Sequence, residues 1–296
     1  MPDPCRSPAS AAPPPGCGRA AVVVPSHGRP EALRGCLESL MALDGAPEIV
    51  VVDDGSPAPL TPVCAGFGER VRCIRQANAG PGAARNTGVA AVTAPFLAFT
   101  DDDCRPVPGW LAALRAAEAG DPARLVGGPI VNALTDNPYA AASQSIASHL
   151  HAEGIARDGA PPYLSTNNLG LSRARFEALG GFDPRYRFAS EDRDFCRRWR
   201  AAGGRLVHAP RAVVHHHHPL TLAGFWRQQL RYGRGARQYH GGGAPGGGPR
   251  LAAAGRYLRL LAHPLADGAP RPLTRAMLVA LSQAAILAGY LLGPER

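Results

Sequence analysis

The sequence predicts an α/β fold: a mostly parallel central sheet with flanking helices, plus a C-terminal helical appendage. Two observations carry this. Short apolar runs alternate with helix-period segments through the first 120 or so residues, the pattern of βαβ units. Two of those runs end in carboxylates, Val52-Asp53-Asp54-Gly55 and Phe99-Thr100-Asp101-Asp102-Asp103. Acids placed there suit the ligand crevice at the carboxyl edge of an open parallel sheet.

Residues 20–24 are an apolar run closed by Pro25, a first buried strand. Leu33, Leu37, Leu40 and Met41 recur at helical spacing behind Pro30 and Glu31, which suit a helix's first turn. Residues 49–52 form a second strand and 71–74 a weaker third. Gly80-Pro81-Gly82 turns the chain into a helix over 83–91, and 96–99 is the fourth strand. Trp110, Leu111 and Leu114 mark another helix. Beyond Gly127-Gly128 the rhythm is irregular: a helix near 139–151, a strand over 167–172, a helix over 191–201, and short strands over 205–207 and 212–214. Residues 220–240 are amphipathic. Arg227, Arg231, Arg234 and Arg237 lie on one face, with Leu222, Phe225, Tyr232, Ala236 and Tyr239 on the other.

Four segments follow. Residues 1–18, rich in Pro, Ala and Ser, form a disordered lead-in; 19–240 form the main domain; 241–249 form a glycine-rich linker; and 250–296 form a helical tail. The tail holds 18 uncharged residues, 276–293, between Arg275 and Glu295. At about 1.5 Å per residue they reach roughly 27 Å, slightly short of a hydrocarbon core. A membrane span, a surface-bound helix or hairpin, and a helix packed on the main domain all fit that length.

The chain has 296 residues and a formal charge of +9, and all 32 of its basic residues are arginine. That balance favours acidic partners such as nucleotide phosphates or an anionic membrane surface. Without zinc-finger spacing or an aromatic-rich basic repeat, nucleic acid is not expected. The seven cysteines form no C-x-x-C pair, which argues against a zinc site and a disulfide scaffold. With no signal pattern at the N-terminus, the expected location is the cytoplasm, at the inner face of the membrane if the tail engages it.

Three adjacent carboxylates repel one another unless a cation lies among them, so Asp101, Asp102 and Asp103 call for a divalent metal. A separate acid, Asp192, is placed to take a proton from a nucleophile. Each feature has a plainer reading. Asp53-Asp54 can hold a turn, and Glu191-Asp192 can be first-turn acids favoured by the helix dipole. Four consecutive histidines, 215–218, cannot all face one ion. Trp110 and Trp226 suit the core or a docking surface better than a sugar platform.

Taken in order, six pieces resemble the family 2 glycosyltransferases of GT-A fold over roughly residues 20–240. They are Val22-Val23-Val24-Pro25-Ser26, Val52-Asp53-Asp54-Gly55-Ser56 and Gly80-Pro81-Gly82-Ala83-Ala84-Arg85-Asn86-Thr87-Gly88, then Thr100-Asp101-Asp102-Asp103, Asn167-Asn168-Leu169-Gly170, and Gly180-Gly181-Phe182-Asp183 with Glu191-Asp192. The resemblance implies an inverting glycosyltransferase. It would move a sugar from a nucleotide-diphosphate donor to a hydroxyl of a glycan, lipid-linked or small-molecule acceptor, with Mg²⁺ or Mn²⁺. It implies that Pro25 lines the base pocket, that Asp54 binds the nucleobase edge with Asp53 sharing the task, and that Arg85 lies near the donor, paired with an acid or with phosphate. The family often has Asp-x-Asp-Asp, and Thr100 stands at the first position here, so the register is open. Asp101 is placed on the ribose and Asp102 on the metal, with Asp103 as alternative ligand. His216 matches a metal- or diphosphate-binding histidine, and Asp192 the general base. The alternatives are a nucleotidyltransferase, which would normally show a glycine-rich, lysine-containing loop after the first strand, and a non-catalytic sugar- or lipid-binding module with a degenerate site.

Overall fold

A computed structural model describes residues 20–158, 161–241, 254–268 and 270–293. The lead-in lies outside the described residues, as does the glycine linker beyond Gly241. The apolar runs build strands because both of their faces find cover. Along β1 (Ala20–Ser26), Val22 and Val24 join one core cluster while Ala21 and Val23 join the other. β2 (Glu48–Asp54) alternates the same way, with Ile49 and Val51 opposite Val50 and Val52. Strands covered on both faces read as continuous apolar runs, which is why these were legible.

The first cluster is closed by Leu33, Leu37 and Leu40 of α1 (Pro30–Met41) and by Trp110, Leu111 and Leu114 of α4 (Trp110–Glu118). Trp110 is buried and donates its indole N–H to Asn168 at 2.8 Å, so it is a core residue. Aromatic packing dominates the second cluster, where Phe99, Phe176, Phe182, Phe195 and Trp199 meet ring against ring.

The seven-stranded sheet has order β3-β2-β1-β4-β8-β6-β9, with β3 at Val71–Gln76, β4 at Phe96–Thr100, β6 at Arg124–Gly127, β8 at Asn168–Ser172 and β9 at Arg205–His208. β3, β2, β1 and β4 are mutually parallel, and β8 runs antiparallel to both β4 and β6. The chain steps outward from β1 to β3, then returns to the other side of β1 as β4. The crevice outside the carboxyl ends of β1 and β4 is therefore a topological switch point, the favoured ligand site of such sheets. A small second sheet has order β5-β10-β7, from Cys104–Pro106, Val214–His216 and Ile130–Asn132.

Several expectations shift. β1 does not stop before Pro25 but runs through it to Ser26. Its ladder with β4 ends at Val23, so Pro25 pairs only with Val52 of β2, and proline is tolerated where a ladder has lapsed. The strand expected over 212–214 lies at Val214–His216. α2 (Thr61–Ala65), β5 and β7 had no sequence signal, being five residues or fewer.

In the C-terminal half, α5 (Pro138–Asp158), α8 (Leu222–Gly241), α9 (Ala254–Ala266) and α10 (Pro272–Leu292) pack on one another. α10 lies along α8 through small residues. A Cβ on Gly233 would come within 2.0 Å of the Ile286 carbonyl oxygen, and one on Gly289 equally close to that of Leu230. The arginines of α8 are not a free stripe. Arg231 lies over the Phe188 ring, and Arg237 donates to the carbonyls of Tyr290 and Leu291, capping α10. Arg275, Val279, Ser282, Ala285 and Gly289 form the buried face of α10, while Leu273, Met277, Leu287 and Leu291 on its outer face are exposed. α10 is also the one described helix long and apolar enough to cross a membrane.

Candidate active site

Side chains at the end of a strand alternate in direction, and this sorts the first acid pair. Asp53 is buried and accepts from the backbone N–H groups of Ser56 (2.9 Å) and Leu60 (3.1 Å) and from Arg75 (2.8 Å). It holds the turn after β2 and, unlike its neighbour, does not line the crevice. Asp54 lines the crevice with Pro25. Its carboxylate is fixed by the backbone N–H groups of Ala79 and Gly80, both at 2.9 Å, and by Gln76 at 2.8 Å.

The acid triplet after β4 divides three ways. Asp101 accepts from Arg85 at 2.6 Å. Asp102 is fully buried, accepts from Ser26 at 2.6 Å and pairs with Arg29, and it does not line the cavity. Burial, with the neighbouring charge of Asp103 and against Arg29, pushes its carboxyl up to about 7. Asp103 pairs with Arg29 at 2.6 Å and with His216 Nε2 at 3.3 Å. Burial works against its charge, but His216 and Arg29 hold its carboxyl well below the usual carboxylate range. His216 is likewise opposed by burial, and its hydrogen bond to Asp103 raises it above the ordinary imidazole value.

His216 reaches Asp103 through strand register. β10 is antiparallel to β5, pairing His216 with Cys104. The carboxylate of Asp103, the thiol of Cys104 and the imidazole of His216 offer ligand atoms within 4.8 Å of one another. Burial, with the charges of Asp103 and Asp101, pushes the Cys104 thiol far above its ordinary value. The oxygen and nitrogen donors of Asp103 and His216 fit a hard to borderline divalent cation. His218 stacks on His216 with ring centroids 4.9 Å apart.

Asp192 comes from a separate element of the same cavity. It lies in the first turn of α7 (Glu191–Ala201), behind Ser190 in the left-handed region at φ 76°. A non-glycine residue there is uncommon and concentrates at functional sites. Burial raises the Asp192 carboxyl, and burial together with Asp192 pushes Glu191 up to about 7. Arg85, buried in α3 (Pro81–Ala90), donates to Glu191 at 3.0 Å and to Asp101 at 2.6 Å, tying the two acid groups together.

One cavity of about 960 Å³ is lined by Pro25, Asp54, Arg85, Asp101, Asp103, Asp192 and His216. Seven of the nine residues proposed from sequence thus converge, and Asp53 and Asp102 stand behind them. Sequence reasoning missed Arg29 and Glu191 as partners of the acids. Glu191 had a signal, its place beside Asp192; Arg29 had none, since only the folded chain shows what its guanidinium meets.

A switch-point crevice lined by strand-end acids and by a separate carboxylate from α7 fits one class, the GT-A-type glycosyltransferase fold. Two solved structures share it: the mannosyltransferase PcManGT from Pyrobaculum calidifontis in complex with GDP-Man and Mn²⁺ (TM-score 0.62, 18% identity, 94% of this chain and 76% of that one) and GalNAc-T7 with UDP, GalNAc and Mn²⁺ (TM-score 0.55, 16% identity, 86% and 58%). Residues 21–180 match the family model described as glycosyl transferase family 2, and the chain belongs to that family. It is also 31% identical over 221 residues to the pre-mycofactocin glycosyltransferase of Mycobacterium tuberculosis, which covers 73% of this chain. The chain spans about half the length of that relative, 46%.

Proposed function

We propose that this protein is an inverting glycosyltransferase that moves a sugar from a nucleoside-diphosphate donor to an acceptor hydroxyl. The observation that carries this is the single cavity lined by Asp54, Asp101, Asp103 and His216 together with Asp192. Pro25 and Asp54 line the end that takes the nucleobase, and Asp101 faces the ribose. Asp192 accepts the hydroxyl proton as the acceptor oxygen bonds to the anomeric carbon. The diphosphate leaves from the opposite face with the bonding electron pair, which inverts that carbon. A divalent cation, Mg²⁺ or Mn²⁺, held by Asp103 and His216, would offset the charge developing on the diphosphate. The Mn²⁺ in both solved neighbours supports this choice. Screening UDP-, GDP- and dTDP-sugars for Mn²⁺-dependent thermal stabilisation tests the reading, since a bound ligand raises stability by mass action. No stabilisation by any donor, with no transfer or hydrolysis, would leave a non-catalytic module.

Asp103→Ala is expected to remove the Mn²⁺-dependent part of donor affinity. Asp102→Ala, which alters a partner behind the ligands, is expected to weaken it roughly 10- to 100-fold. Calorimetric titration of donor with Mn²⁺ checks both, and the reverse order of effects would return the ligand role to Asp102.

The exposed outer face of α10 supports a surface contact with the membrane in preference to a span. Crossing would strip α10 from Gly233 and expose Arg275, which is buried and bonded to Ser145 at 2.9 Å. The full chain is expected to float with lipid vesicles and, held by apolar side chains, to stay bound at high salt. Release by salt alone would move the contact to the arginines, and no flotation would remove the membrane from the account.

A further inference from the structure

We infer that Arg29 makes cation binding at Asp103 conditional on the donor's diphosphate. The inference rests on the metal reading above and adds a residue that the reading does not use. Arg29 caps the N-terminus of α1 with its backbone, its carbonyl accepting the Leu33 N–H at 3.0 Å. The side chain is thereby aimed at the acid triplet. Its guanidinium grips both acids: Nε donates to Asp102 at 3.2 Å, Nη2 pairs with the second oxygen of the same carboxylate, and Nη1 donates to Asp103 at 2.6 Å. The acids are buried, but the Arg29 side chain is 46% exposed and lines the cavity. It therefore approaches from the side on which a donor would enter.

The chemistry follows from charge. One oxygen of Asp103 faces His216 and the other is held by Arg29. A dication at Asp103 would sit beside a permanent cation that already holds one oxygen of that carboxylate, so the two cations repel each other and compete for the same acid. Adding a nucleoside diphosphate reverses that balance. Only Nη1 need leave Asp103, because Nε and Nη2 are anchored on Asp102, and the freed N–H is then available to a diphosphate oxygen. Guanidinium suits this exchange because it presents several donors from a fixed plane. Asp102 becomes the anchor that keeps the arginine at the site. Cation and diphosphate should thus bind cooperatively, and each must strengthen the other by the same factor.

The test is Mn²⁺ binding by the whole protein, followed by electron paramagnetic resonance of the free ion, alone and with UDP or GDP. Wild type should bind Mn²⁺ weakly alone and on the order of 10-fold or more tightly with one diphosphate, within the usual range of coupling between sites. Arg29→Gln should tighten Mn²⁺ alone by a similar factor and shrink the diphosphate effect to the part that direct attraction between Mn²⁺ and the diphosphate supplies. Arg29→Lys keeps the charge without the fork, so Mn²⁺ alone should stay weak. Because it is the milder change, it decides the matter if the glutamine variant does not fold, as judged by its melting curve. Unchanged or weaker Mn²⁺ binding by Arg29→Gln with the diphosphate factor intact overturns the inference and leaves Arg29 as a prop for Asp102. A lysine variant that binds Mn²⁺ alone at least 10-fold tighter than wild type overturns it as well. If wild type binds no Mn²⁺ even with UDP or GDP, the metal reading itself fails and the inference falls with it.

Discussion

Asp192→Asn is expected to slow turnover by at least about 10²-fold while leaving donor affinity nearly unchanged, the usual scale for losing a general base. The amide keeps the shape of the carboxylate but cannot accept the acceptor's proton. Asp192 is positioned by the first turn of α7 and accepts the Arg193 N–H at 2.7 Å, so the substitution leaves the fold's main contacts in place. The pH profile gives a second readout. The base must be ionised, and burial raises its carboxyl, so activity should fall as pH drops through a value above the ordinary carboxylate range. That acid limb should disappear in the residual activity of the asparagine variant. Steady-state kinetics across pH with a calorimetric donor Kd decides the point. Equal losses of donor affinity and turnover would assign Asp192 a structural role.

The sheet and its acids were legible because local signals coincide there. Apolar runs of strand length end in carboxylates at both β2 and β4, and helix-period leucines fill the gap after β1. The helix at Glu191 was equally clear, with acids in its first turn and Phe195, Cys196 and Trp199 spaced for one buried face. What could not be read depends on long-range pairing. β5 and β7 have three residues each and acquire strand character only by meeting β10, a strand expected two residues earlier than it lies. Their register sets His216 beside Asp103, so the sequence alone offered four histidines and no geometric means of choosing.

Direction was hidden for a related reason. Three consecutive aspartates look equivalent until the turn after β4 aims Asp102 at Ser26 and Asp103 at His216. The tail shows the opposite difficulty, a signal with two meanings. Its apolar length suits a membrane, whereas Ser282, Ala285 and Gly289 along one side are the small residues that close helix contact requires. The structure puts that side against α8.

Arg85→Met is expected to cost the largest share of stability of any single change in the site. The guanidinium is 2% exposed and joins Glu191, itself buried, to the partly exposed Asp101. Removing one member of a buried pair leaves an uncompensated charge, a loss of about 3–5 kcal/mol. The lower end applies here because water reaches Asp101. For a domain of this size about 3 kcal/mol corresponds to a fall in Tm of roughly 6–12 °C. The deficit should also widen with pH. Glu191 is already pushed up to about 7 by burial and Asp192, against the pull of Arg85. Without Arg85 its folded-state carboxyl lies higher still. An acid raised in the folded state contributes stability at low pH that is lost as pH rises through the folded value. The difference in Tm between variant and wild type should therefore be smaller at pH 5 than at pH 8. Arg85→Lys, which keeps the charge but not the two-armed fork, should fall between them. Melting curves at the two pH values are the measurement. A methionine variant within about 2 °C of wild type at pH 8 would show that Arg85 does not hold the two acid groups together and would turn its role towards the donor phosphates.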